Sequence, residues 1–161
     1  LSIRRQRQMC IRDRMAATQS PRFRAVVASA APSNLASMRG AFDPHHEVLP
    51  RDGLELNPNY GWSELGQGQL GRSPWEDPSV YVRNSPMFFA DQITAPVLLI
   101  HGDGDFVRLS QAQEMFSALY RLGKDAQLLT AYGEGHIIAS PANRRAVTSH
   151  TLAWLQSALC R

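Results

Sequence analysis

Residues 95–136 read APVLLIHGDGDFVRLSQAQEMFSALYRLGKDAQLLTAYGEGH and predict a strand, a helix and a strand in that order. Ala95–Gly102 is a continuous apolar run that ends on glycine, which is typical of a strand buried on both faces. Ser110–Lys124 has apolar side chains three and four residues apart, so it predicts an amphipathic helix with its first residue as N-cap and the glycine near its end as its stop. Ala126–Gly133 predicts the second strand.

The same alternation continues on both sides of this stretch. Residues 25–31 predict a further buried strand after the end of a helix, and a helix over 143–160 closes the chain. Helices between successive strands indicate parallel strands with right-handed crossovers, and therefore an α/β layered fold. The closing helix is expected to pack through one apolar stripe, formed by Val147, Leu152, Leu155 and Leu159.

The middle of the chain is less regular. Residues 40–74 are rich in Gly, Pro, Asn and Asp and have little hydrophobic periodicity, which predicts a long surface excursion that is either a lid or an insertion. Beyond it, Pro78 suits the first turn of a short helix that starts near Asp77, and a second break follows at Ser85 and Pro86.

Potential catalytic side chains follow both strands of the quoted stretch. In open parallel sheets the chemistry lies beyond the carboxyl ends of the strands. Asp103 or Asp105 follows the first strand and His136 the second, and strands that are neighbours lie about 4.8 Å apart, so a carboxylate and an imidazole can meet. Such a pair is the orienting half of a nucleophilic triad. The same residues also fit a loop histidine bonded to backbone and aspartates that cap N–H groups.

Three further stretches accompany the quoted one: TQSPRFRAVVA (18–28), SPWEDPSVYVRNSPMFFADQI (73–93) and GEGHIIASPANR (133–144). Together, from about Met15 onward, they resemble the C-terminal half of the catalytic domain of the prolyl oligopeptidase family of serine peptidases. The resemblance implies an α/β-hydrolase fold, truncated to its C-terminal half, and hydrolysis of peptide bonds through an acyl-enzyme, often after proline. It makes Asp105, the last acid of an H-G-x-x-D turn, the triad acid and His136, which closes G-E-G-H, the general base. Arg108 departs from the family, which more often has proline there.

A triad also needs a serine on a G-x-S-x-G turn between a strand and a helix. GWSEL (61–65) has leucine in place of the second glycine and no buried strand before it, so Ser63 is expected to be a solvated loop serine. By the resemblance, the nucleophile belongs near residues 6–8, which read QRQ. We therefore expect the chain to carry the acid and the base without the nucleophile, and to have no acyl-transfer activity by itself.

The arginine-rich start of the chain explains its basic charge. Residues 1–14 contain five arginines and one aspartate, a net charge of +4, whereas the whole chain carries +3. A nucleic-acid-binding arm is expected to interleave arginines with aromatic residues, and this segment has none. RRQRQMCIRD (4–13) followed by Arg14 is similar to the translation of a transposase-type sequencing adapter. We expect residues 1–14 to be a non-native segment and residues 15–161 to be a partial α/β-hydrolase peptidase domain.

Composition narrows the partners further. The expected partner is a peptide substrate, and no nucleic acid is expected to bind. No membrane is expected as a partner either, because no apolar run approaches the roughly 20 residues of a spanning helix. Cys160 is the one cysteine outside the arginine-rich segment, so no metal cluster of thiolates is expected, and neither a metal nor a cofactor is predicted. Two other functions fit: an esterase or acyl hydrolase that uses Asp105 and His136 in the same roles, and a non-catalytic binding module with a structural His136. The sequence gives neither localisation nor oligomeric state.

Overall fold

The computed structural model describes residues 9–41 and 58–160, and the side chains of residues 14–41 and 61–160. Three strands alternate with helices along these residues. In chain order the elements are α1 (Met9–Gln19), β1 (Val26–Ser29), α2 (Leu35–Gly40), α3 (Pro58–Glu64), α4 (Pro78–Arg83), a 3-10 helical segment (Pro86–Gln92), β2 (Val97–Gly102), α5 (Leu109–Arg121), β3 (Ala126–Ala131) and α6 (Pro141–Leu159). Among the described helices, none is long and apolar enough to cross a membrane.

The strands form one parallel sheet in the order β1-β2-β3. Ile100 of β2 lies opposite Ser29 of β1 and Leu129 of β3, so the three strands end at the same edge of the sheet. Every residue of the central strand β2 is buried. The sheet confirms the predicted α/β class and the three predicted strands, and it places the turns after β2 and β3 side by side.

Side chains of β2 point alternately to two apolar layers, as the period of a strand requires. Val97 and Leu99 pack against Met115 and Leu119 of α5, in a layer that also includes Ala17 of α1. On the other face, a second layer joins Leu98 and Ile100 to Trp154 and Ala158 of α6. Helices therefore cover both faces of the sheet, as parallel strands require.

Two helix starts differ from the sequence prediction. Helix α5 begins at Leu109 with Arg108 as N-cap, so the assignment of Ser110 as N-cap was wrong. Helix α6 begins at Pro141, and the Ser140 hydroxyl accepts a hydrogen bond from the Asn143 N–H, which places the start two residues before the predicted one. Proline fits this first turn because its missing N–H has no helical partner there.

The predicted apolar stripe of α6 was also wrong in part. Leu152 and Leu159 are 57% and 42% exposed, whereas Trp154 and Ala158 are buried. The packed positions, which include Val147 and Leu155, follow one another at helical spacing. Leu152 and Leu159 lie five and twelve residues after Val147, about 120–140° around the helix at 3.6 residues per turn, so they face away from the sheet.

Part of the predicted surface excursion forms a helix. Residues 42–57 lie outside the described residues, but Pro58–Glu64 forms α3. The sequence analysis predicted neither this helix nor α2.

Leu35 and Met38 of α2 are buried with Tyr81 and Val107, and Trp62 and Leu70 pack against them. An ion pair of 2.6 Å between Arg39 Nε and Glu64 Oε1 ties α2 to α3. These residues form a small helical layer that reaches Val107, in the turn after β2. By contrast, the predicted short helix is confirmed as α4, with Asp77 as N-cap.

A buried glutamine connects α5 to the segment after β1. The side-chain oxygen of Gln111 accepts hydrogen bonds from the N–H groups of Ser33 and Asn34 at 3.0 and 2.9 Å. Its amide nitrogen donates to the Ser37 hydroxyl at 2.8 Å, and the Ser33 hydroxyl donates to the Gln111 carbonyl. One side chain thus satisfies the backbone N–H groups of the two residues that precede α2.

Replacing Gln111 with leucine is expected to destabilise the fold by about 2–4 kcal/mol, because it leaves the N–H groups of Ser33 and Asn34 without their acceptor. Urea denaturation followed by circular dichroism measures the change. Gln113→Leu, on the exposed face of the same helix, is the control and should change the free energy of unfolding by no more than about 0.5 kcal/mol. Equal losses in the two variants would contradict this role of Gln111.

Candidate active site

The structure brings Asp105 and His136 together at the carboxyl edge of the sheet. Asp105 lies in the turn between β2 and α5, and His136 lies in the turn between β3 and α6. His136 Nδ1 is 3.0 Å from each of the two carboxylate oxygens of Asp105. Because a carboxylate only accepts, Nδ1 carries the proton and donates a hydrogen bond to Asp105.

The two partners differ in exposure. The Asp105 side chain is fully buried, and the N–H of Val107 donates to its Oδ1 at 2.9 Å. The His136 side chain is 40% exposed. The arrangement therefore has a fixed, buried acid behind an accessible imidazole, and the imidazole nitrogen opposite Nδ1 is left to act on a bound molecule.

The structure distinguishes the two aspartates that the strand-end pattern left open and between which the family resemblance favoured Asp105. Asp103 is exposed, and its carboxylate accepts a hydrogen bond of 2.7 Å from the N–H of Gly133. It therefore joins the turn after β2 to the end of β3 and caps a backbone N–H group. Asp105 is the aspartate in contact with His136.

Backbone contact between the two turns sets this geometry. The N–H of Gly104 donates to the Glu134 carbonyl at 2.9 Å, and the N–H of Asp103 donates to the Ala131 carbonyl at 3.3 Å. A Cβ atom on Gly102 would lie 2.4 Å from the Glu134 carbonyl oxygen and 2.5 Å from that of Gly135. Only glycine allows the end of β2 to approach the His136 turn this closely. Steric exclusion of any side chain therefore explains why residue 102, the second residue of the H-G pair, is glycine.

A buried carboxylate, which the sequence did not single out, holds the His136 turn against α6. Glu134 accepts hydrogen bonds from the Ala139 N–H at 2.6 Å, the Ser140 N–H at 3.2 Å and the Asn143 amide at 2.8 Å. Hydrogen bonds from Ser140, Ala139 and Asn143, in that order of effect, lower the pKa of Glu134 from 4.5 to about 2. The sequence signal that could have identified Glu134 is its position, two residues before His136 and six before Ser140, the N-cap of α6.

Two further side chains next to the pair were not identified from the sequence. The ring of Phe106, which is partly exposed, lies 4.5 Å from the His136 ring, centroid to centroid, and covers one side of it. His101, in β2, is fully buried with its Nε2 3.5 Å from Asp105 Oδ2. Both flank the predicted acid in the sequence, but a flanking position alone does not show contact.

Ser63 does not lie where the sequence placed it. It belongs to α3 and is fully buried, so the prediction of a solvated loop serine was wrong. Within the described residues its hydroxyl has no hydrogen-bond partner, and no hydrogen bond joins it to His136. The position predicted for the nucleophile, residues 6–8, lies outside the described residues. In residues 9–41 and 58–160, no three His, Cys, Asp or Glu side chains are grouped to hold a metal ion.

A parallel sheet covered by helices on both faces, with an acid after one strand and a histidine after the next, is the arrangement of an α/β-hydrolase. The model of the prolyl oligopeptidase family matches residues 14–160, so the chain belongs to that family. This confirms the resemblance seen in the sequence. The match begins at Arg14, while α1 begins at Met9, and the non-native origin of residues 1–14 stays a prediction.

Relatives and solved structures agree with this family. Dipeptidyl-peptidase 5 of Schizosaccharomyces pombe is 30% identical over 62% of the chain, and a probable chloroplastic glutamyl endopeptidase of Arabidopsis thaliana is 34% identical over 53%. Pyrococcus horikoshii acylaminoacyl peptidase is 25% identical over 89% of the chain, with a TM-score of 0.70. The chain spans 15% and 9% of the two relatives' lengths and 21% of the solved chain.

The depressed pKa of Glu134 predicts a pH dependence of stability. Because its pKa in the folded protein is about 2, below the usual 4.5, the stabilisation is complete above about pH 5 and is lost as the pH falls from about 4.5 towards 2. Glu134→Gln should be less stable than the wild type at pH 7, and the gap should narrow at pH 3. Urea denaturation at both pH values measures it.

The control for this titration is Asp91→Asn, a change at an exposed carboxyl of the 3-10 segment. This variant should follow the wild-type dependence on pH. A gap between Glu134→Gln and the wild type that stays constant from pH 7 to pH 3 would show that the Glu134 carboxylate is not the group responsible.

Proposed function

We propose that Asp105 and His136 are the acid and the general base of a serine-peptidase active site that cleaves peptide bonds. The observation that carries the proposal is the contact of His136 Nδ1 with both oxygens of the buried Asp105, at 3.0 Å each, while the imidazole stays 40% exposed. A histidine held by a buried carboxylate on one side and open on the other matches the demands on a general base.

The proposed reaction follows from this geometry. His136 keeps a proton on Nδ1 and donates a hydrogen bond from it to Asp105, so Nε2 of the neutral imidazole is unprotonated and takes the proton of a serine hydroxyl as its oxygen attacks the peptide carbonyl. The imidazolium that forms is stabilised by the Asp105 carboxylate, which is poorly screened because it is buried. His136 then gives its proton to the leaving amine, and an acyl-enzyme remains. Water, deprotonated by the same nitrogen, hydrolyses this ester and restores the serine.

The nucleophile is proposed to be absent from this chain. The 161 residues contain no G-x-S-x-G sequence. Ser63, which has a partial match in GWSEL, is buried in α3 and has no hydrogen bond to His136 in the described structure. Without a nucleophile the covalent route is lost, so the chain by itself is proposed to have no acyl-transfer activity.

A peptide is the proposed substrate class because the family and its relatives are named as peptidases. The names differ in the bond concerned, since one relative is called a dipeptidyl-peptidase and another a glutamyl endopeptidase. An ester is the alternative substrate, because Asp105 and His136 would act on it in the same way.

The acid and base roles can be tested in a longer chain that joins residues 15–160 to an upstream segment with a G-x-S-x-G serine. Asp105→Asn should lower kcat about 10⁴-fold and His136→Ala about 10⁶-fold, because the first fixes the wrong tautomer and the second removes the base. The measurement is cleavage of a peptide anilide and of a p-nitrophenyl ester. Turnover of the ester alone would show an esterase, and full activity in His136→Ala would show that the histidine is structural.

Two matched controls accompany these variants. Asp103→Asn changes the neighbouring aspartate, which bonds Gly133 and not His136. His150→Ala changes an exposed histidine of α6, whose side chain contacts Gln127. Both variants should keep kcat within a few-fold of the unsubstituted chain.

The 161-residue chain itself should not be labelled by a fluorophosphonate, because none of the serines in the described residues is hydrogen-bonded to His136. The measurement is gel fluorescence after incubation with a tagged reagent. Labelling that disappears in Ser63→Ala, and persists in Ser79→Ala at an exposed serine of α4, would identify Ser63 as a nucleophile and overturn the proposal.

A further inference from the structure

We propose that His101 is a positioning residue that fixes the carboxylate of Asp105 for His136 by closing the turn after β2. The proposal rests on the roles proposed for Asp105 and His136. It adds a second histidine, which acts through the acid and does not meet the substrate.

His101 is the fifth residue of β2 and is 1% exposed. Its Nε2 lies 2.5 Å from the Val107 carbonyl oxygen and 3.5 Å from Asp105 Oδ2. The imidazole therefore spans the turn that carries Asp105, from the end of the strand to the residue two positions after the acid.

The contact with Val107 fixes the form of the ring. A carbonyl oxygen only accepts, so Nε2 carries a proton and donates it. Burial is the main cause that lowers the pKa of His101 from 6.5, which favours the neutral imidazole. Nδ1 is then an acceptor, and it is buried without a hydrogen-bond partner among the described residues.

An unpaired buried nitrogen is a cost that an apolar side chain would not have. In the described structure, the polar contacts of the His101 ring are therefore made by Nε2, which lies next to the Val107 carbonyl and Asp105. A histidine at this position differs favourably from a leucine only in the contact made by Nε2. This indicates that the histidine acts on the turn after β2.

Val107 couples the two side chains. Its carbonyl accepts from His101, while its N–H donates to Asp105 Oδ1 at 2.9 Å. Oδ1 is thus held by the backbone, and Oδ2 lies 3.5 Å from the N–H-bearing nitrogen of His101. In this orientation the carboxylate presents both oxygens to His136 at 3.0 Å.

The neutral form of His101 matters for the charge on the acid. The charged or titratable groups that act on His101 are Asp105, which raises its pKa, and Arg14 and His136, which lower it. A cationic His101 would neutralise Asp105 and weaken its attraction for a protonated His136. A neutral N–H orients the carboxylate and leaves its charge for His136.

The test is ¹⁵N NMR of the histidine side chains in the 161-residue chain, with assignment by substitution. The wild type should show His101 as the neutral Nε2–H tautomer at pH 7, and a slowly exchanging Nδ1–H of His136. In His101→Leu the His136 Nδ1–H resonance should be lost. In His101→Gln it should return, because the glutamine amide can donate from nearly the same position as Nε2.

Leu99→Ala is the matched control, because Leu99 is buried on the same face of the same strand and does not contact Asp105. It should destabilise the chain and keep the His136 resonance. Loss of the resonance in Leu99→Ala, or its persistence in His101→Leu, would overturn the proposal.

The wild-type spectrum decides the matter even if His101→Leu does not fold, since an Nδ1–H tautomer or an imidazolium at His101 at pH 7 contradicts the proposed donor. The NMR readout is independent of turnover. If the longer chain is fully active without His136 while these resonances behave as expected, the catalytic role fails and the positioning of Asp105 stands.

Discussion

The site depends on the close approach of two turns at the carboxyl edge of the sheet. Gly102 lies so near the backbone of Glu134 and Gly135 that a Cβ atom would overlap both carbonyl oxygens. Across this contact, Gly104 donates to Glu134 and Asp103 accepts from Gly133. Asp105 and His136 meet because the backbones that carry them touch.

Buried polar side chains hold this edge together where apolar packing ends. Gln111 satisfies N–H groups at the start of α2, Glu134 does so at the start of α6, and His101 satisfies a carbonyl in the turn after β2. Each is matched to specific backbone atoms, and an unmatched buried group of this kind costs about 1–3 kcal/mol. The apolar layers on the two faces of the sheet fix where the strands lie, and these polar contacts fix how the turns leave them.

The chain belongs to the prolyl oligopeptidase family, and its proposed acid and base lie 31 residues apart, in the turns that follow two adjacent strands. This compact unit forms the Asp105–His136 contact within itself. The nucleophile of such a triad lies on a different strand-to-helix turn. The proposed acid and base are therefore separable in sequence from a nucleophile, and their contact forms within residues 97–140.

The sequence by itself determined the parallel strands and the amphipathic helix α5, because hydrophobic periodicity reports local burial, and the short helix α4, because proline suits a first helical turn. It also brought an acid and His136 to one edge, since parallel strands end together. The tertiary structure decided the rest: which aspartate faces His136, which face of α6 packs, the burial of Ser63, and the parts played by Glu134 and His101. Those features depend on the path of the turns and on hydrogen bonds between residues distant in the chain. Hydrophobic periodicity predicts neither, because it reports only local burial.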